Sequence, residues 1–88
     1  MKMIIAIIRD NDYDSVSQAL LAEGLRVTRI ASTGGFLRRG SSTLMIGLDD
    51  DKVDQGIEII RENTSQPDEP SGKRATIFVL NVSKFTQV

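Results

Sequence analysis

The chain has 88 residues, 11 basic and 12 acidic, a formal net charge of −1, and neither cysteine nor histidine. That balance argues against a surface built for DNA, RNA or an anionic membrane. The missing residue types remove disulfides, thiolate chemistry and the usual zinc sites, which suits a reducing cytoplasm. A single domain this short buries a modest share of its surface, so self-association is the support left to it.

Met3 to Ile8 is a continuous apolar run with four isoleucines, too short for a membrane span and lacking a small-residue cleavage site. It reads as a strand with both faces covered. From Asp12 the spacing turns helical. Val16, Ala19 and Leu20 form a stripe, Asp12 is placed to cap the first turn, and Gly24 to end the last. This predicts a helix over about Tyr13 to Glu23. Leu25 to Ser32 reads as a second strand, with Arg26, Thr28 and Ile30 on one side. Thr43 to Leu48 reads as a third. "DDDKVDQGIEIIREN" then carries acids at a helix start, an apolar stripe of Val53, Ile57 and Ile60, and Arg61 near the end, where the dipole favours a cation.

Asn63 to Arg74 holds both prolines and no apolar anchor, and is expected to be a mobile loop. Ala75 to Val82 is a fourth strand, and "SKFTQV" closes the chain. The order βαββαβ predicts a single α+β domain of ferredoxin-like type over residues 1–88, a four-stranded antiparallel sheet with two helices on one face. Two helices cover one side only. The first strand is apolar on both sides, with Met3, Ile5 and Ile7 opposed to Ile4, Ala6 and Ile8. The fourth repeats the pattern, so the bare faces are expected to meet in a closed homo-oligomer.

Between the second and third strands lies "STGGFLRRGSST", Ser32 to Thr43, which holds more than a turn requires. It is not a phosphate-binding P-loop. Ser41 stands where the lysine belongs, and the segment leads into a strand instead of a helix. "DNDYD" at 10–14 fails as a calcium loop, because Ser15 and Leu21 occupy the positions of the required glycine and glutamate. What the glycine-rich loop does offer is close backbone approach to an anion, charge from Arg26, Arg38 or Arg39, and an aromatic face at Phe36 for a nucleobase. Spacing alone serves equally well for a Phe36 that packs under its own loop or into a subunit contact. Every carboxylate sits in a turn or helix where capping or solvation explains it, so the chain reads as a binding protein and not an enzyme.

"MKMIIAIIRDND", "RVTRIASTGGFLRRGSST", "GLDDDKVD" and "ATIFVLNVSKFTQV" together resemble the PII-like cyclic di-AMP receptor family, and "TGGFLR" is the most telling piece. The resemblance implies a cytoplasmic bacterial homotrimer without a cofactor that binds cyclic di-AMP in clefts between subunits and signals to a downstream protein. It further implies that Gly34, Gly35, Phe36 and Leu37 line the ligand, with Phe36 against an adenine. Arg26 and Thr28 would add polar contacts, Gly47 would permit close approach, and Ser41, Phe78 and Gln87 would complete the pocket, some from the adjacent subunit. Ser41 stands where relatives often carry asparagine, Val88 where an aromatic is common, and the loop 63–74 is shorter than the family's. A PII-like trimeric module for another nucleotide, or for a protein partner, is the competing expectation.

Overall fold

A computed structural model describes residues 1–32, 40–67 and 72–88. Its elements follow the expected order: β1 (Lys2–Arg9), α1 (Tyr13–Ala22), β2 (Thr28–Ser32), β3 (Ser41–Leu48), α2 (Val53–Glu62) and β4 (Ala75–Asn81). The strands form one sheet in the order β2-β3-β1-β4, and each neighbouring pair is antiparallel. This is the ferredoxin-like α+β arrangement. Among the described residues, no helix is long and apolar enough to cross a membrane.

The core lies between the helices and one face of the sheet. Ile4, Ala6 and Ile8 of β1 and Leu44, Ile46 and Leu48 of β3 are buried there against Val16, Leu20 and Ile60 from the helices. Strand alternation puts the other residues of β1 and β3 on the opposite, open face. There one cross-strand row runs Thr28, Met45, Ile5, Phe78, and a neighbouring row pairs Gly47, Met3 and Leu80. Phe78 is 53% exposed, Leu80 41% and Ile7 38%. The expectation that both faces of β1 are covered therefore holds for one face within a single chain.

Helix α1 ends as its glycine predicts. Gly24 adopts φ +77°, its N–H bonds the Leu21 carbonyl at 2.9 Å, and the Leu25 N–H returns to the Leu20 carbonyl at 3.0 Å. This is the Schellman pattern, in which the residue after the glycine packs back on the last turn. Leu20 and Leu25 are both in the core. That use of Leu25 explains why β2 starts at Thr28 and not at Leu25: residues 25–27 complete the helix stop before the chain reaches β3. A register shift between Arg29 and Ala31 makes Ile30 the extra residue. The bulge turns Ser32 to the same side of the sheet as Arg29, which strict alternation would have forbidden.

Asp12 and Asp50, two of the acids at the helix starts, are held by partners other than the helix amides. Asp12 makes no side-chain cap bond. It is buried, lies 3.6 Å from Arg9 Nε, and accepts from Ser65 Oγ at 2.9 Å. Arg9 also donates to the Ser65 carbonyl and hydroxyl. The loop that follows α2 is thus anchored at its beginning by polar contacts, with Thr64 buried beside them. The Asp50 carboxylate faces the N-terminal amine at 3.1 Å, and that hydrogen bond holds its pKa below the usual aspartate value.

Candidate ligand-binding site

The open face is hollowed at one end. A cavity of about 240 Å³ lies over the C-terminal half of β3 and is enclosed by the N-terminus and the tail that follows β4. Its polar lining is Arg26, Thr28 and Gln87, and its apolar wall is Met1, Met3, Met45, Val82 and Phe85. Each arrives by a separate piece of local structure. The strand pairing sets Thr28 opposite Met45, and Met3 opposite Gly47. Arg26, two residues before β2 begins, lines the same hollow as Thr28. The tail is fixed where the Val82 N–H bonds the Met1 carbonyl at 3.1 Å and Lys2 Nζ donates to Asn81 Oδ1.

Gly47 makes the hollow. A methyl group there would come 3.3 Å from the Met1 methyl carbon and project into the space that Met3 and Arg26 border. The result is a mouth with an apolar floor, one guanidinium, one hydroxyl and one amide. Such a lining suits a flat heteroaromatic ring carrying an anion: the thioether and phenyl walls bury the ring, and Arg26 meets the charge.

Four residues singled out from the sequence, Arg26, Thr28, Gly47 and Gln87, therefore meet in one place. Two others do not join them within the chain. Ser41 begins β3 six positions before Gly47, about 20 Å away at the usual rise per strand residue. It lines a different cavity of about 180 Å³, with Arg9, Lys73, Arg74 and Thr76. Phe78 shares the cross-strand row of Thr28, three strands over, a separation of about 14 Å. Gly34, Gly35, Phe36 and Leu37 lie outside the described residues. A larger hollow of about 430 Å³ between α2 and β4, lined by Ile57, Ile60, Arg61 and Arg74 among others, contains none of these residues.

Sequence reasoning missed Phe85 and the methionines Met1, Met3 and Met45. Phe85 had a readable signal, since it is the one aromatic in an otherwise mostly polar tail and stays 61% exposed. The methionines had none, because at strand spacing a methionine is indistinguishable from core.

Against solved structures, the chain is similar to a protein of unknown function from Pediococcus pentosaceus. The two are 32% identical with a TM-score of 0.77, over 99% of this chain and 96% of that one. A family described as "cyclic-di-AMP receptor" matches residues 1–70. That span carries Arg26, Thr28, Ser41 and Gly47 together with the helices that back the sheet. With most of its length covered by that match, and with the fold and the hollow on its open face as described, the chain belongs to the cyclic-di-AMP receptor family.

Proposed function

We propose that this protein binds cyclic di-AMP in clefts between neighbouring subunits of a homotrimer and passes the signal on through a ligand-dependent surface. One observation carries the reading. Arg26, Thr28, Gly47 and Gln87 converge on a single hollow, while Ser41 and Phe78 sit on the same open face but about 14 to 20 Å away. A cyclic dinucleotide has two bases and two phosphates. A hollow of about 240 Å³ takes only part of it, and the remote residues of an adjoining copy are available for the rest. In this reading the glycines of "TGGF" bring main-chain amides near a phosphate and Phe36 stacks on an adenine. The chemistry is recognition and not turnover, and the downstream partner is a protein that reads the loaded surface.

Calorimetric titration with cyclic di-AMP and, separately, ATP tests this. Saturable heat is expected with cyclic di-AMP, with Arg26→Ala and Phe36→Ala each weakening binding by at least about tenfold, or about 1.4 kcal/mol. Binding of ATP alone would favour the alternative of a PII-like module for another nucleotide.

A further inference from the structure

On the helix side of the sheet, away from the hollow, the described residues include a dense polar knot. We propose that Asp10 is a positioning residue, one that fixes the separation of the end of β2 from the start of β3 and thereby sets the affinity of the ligand site. The affinity half of this rests on the cyclic di-AMP reading above.

The bonds converge from both strands onto one residue that belongs to neither. The Asp10 N–H donates to the Gly40 carbonyl at 3.0 Å, just before β3 begins. Its Oδ1 accepts from Ser42 Oγ in β3 and from Ser32 Oγ, the last residue of β2, at 3.3 Å. Arg29 closes the knot. Its Nη2 is 2.8 Å from Ser42 Oγ, 3.0 Å from Ser32 Oγ and 3.3 Å from Asp10 Oδ1, and its guanidinium lies 4.3 Å from the centre of the Tyr13 ring. Ser42 is fully buried, so its hydroxyl has no water to replace the carboxylate. The bulge at Ile30 is what brings Ser32 to this side.

The knot does not serve the register of the sheet. Leu44, Ile46 and Leu48 already fix β3 against the core, and one slip would put all three on the open face. Asp10 bonds both sides of the final β2–β3 rung, where Ser32 pairs with Ser42. Residues 33–39 leave from that rung, and by sequence they carry Gly34, Gly35, Phe36 and Leu37. Where strand ends occupy several separations and one of them binds, the apparent dissociation constant rises in proportion as that one is depopulated. A charge-assisted knot is strong enough to govern such a population.

Amide hydrogen exchange on the unliganded protein, paired with cyclic di-AMP titration, tests this on Asp10→Ala, Asp10→Asn and Ser42→Ala. Exchange in peptides covering residues 29–43 is expected to quicken by about tenfold in Asp10→Ala and Ser42→Ala, with α2 and β4 unchanged, and affinity to fall by about tenfold. Asp10→Asn keeps an acceptor for the hydroxyls without the charge, so it should fall between Asp10→Ala and the wild type. Exchange at the wild-type rate, a uniform rise across the whole chain, or a local rise with affinity unchanged within about twofold would each overturn the proposal. Should wild-type protein take up no cyclic di-AMP, the ligand reading fails, and the exchange pattern still decides whether Asp10 holds the two strand ends. Should Asp10→Ala not fold, Ser42→Ala, which removes only an oxygen from a packed site, carries the same comparison.

Discussion

Gly47 acts through the side chain it lacks. In the middle of a strand a glycine weakens the sheet unless something else needs the space, and here the space is the floor of the hollow. The one close neighbour of an added methyl group is the tip of Met1, a flexible side chain 3.3 Å away. Gly47→Val should therefore fold as well as the wild type, or better, because a β-branched residue suits a strand. On the proposed reading, the same change should lower affinity for cyclic di-AMP by at least about tenfold, since two methyl groups would fill part of the hollow. Thermal melting and calorimetry on the one variant separate the effects, and unchanged affinity would remove Gly47 from the site. At this scale the sequence points to polar residues and a glycine whose presence on a strand asks for an explanation; the fold brings Arg26, Thr28, Gly47 and Gln87 to one hollow and leaves Ser41 at another. Met1, Met3 and Met45 carry no such signal until the neighbouring strands are placed.

Among the elements, the stop of α1 was legible and the start of β2 was not, and one residue accounts for both. Gly24 announces a left-handed turn. Leu25 looks like the first residue of a strand, yet it packs as the apolar partner of that turn. An alternating pattern cannot distinguish the two uses, because both bury the leucine. Likewise the position of Asp12 alone suggests a cap, whereas a partner more than fifty residues away in sequence, Ser65, decides its role. The Gly24 turn yields a clean prediction. Nothing lies within 4 Å of a methyl group added there, so Gly24→Ala pays only for the backbone conformation. It should lower unfolding free energy by roughly 1–2 kcal/mol in denaturant titration. A loss below about 0.3 kcal/mol would mean that the turn relaxes to another geometry at little cost.

For the molecule as a whole, the exposed face of the sheet is the part that a single chain leaves uncovered. Phe78, Leu80 and Ile7 stand on it at 53%, 41% and 38% exposure. Each large aliphatic group left in water forgoes roughly 1.5 to 3 kcal/mol of burial, a heavy loss for a domain with so small a core. This much follows from the doubly apolar runs of β1 and β4 in the sequence. The separation of the candidate site into two parts does not, because it depends on strand order: β4 adjoins β1, which leaves Phe78 three strands from Thr28. Covering the face with other copies and completing the site from a neighbour are, on this account, the same event. Native mass spectrometry during a cyclic di-AMP titration reads subunit number and ligand number together. The prediction is a particle of three 9.7-kDa chains that fills in steps to three ligands. A single chain that takes up the ligand by itself, or a trimer that stays empty at saturating cyclic di-AMP, would contradict it.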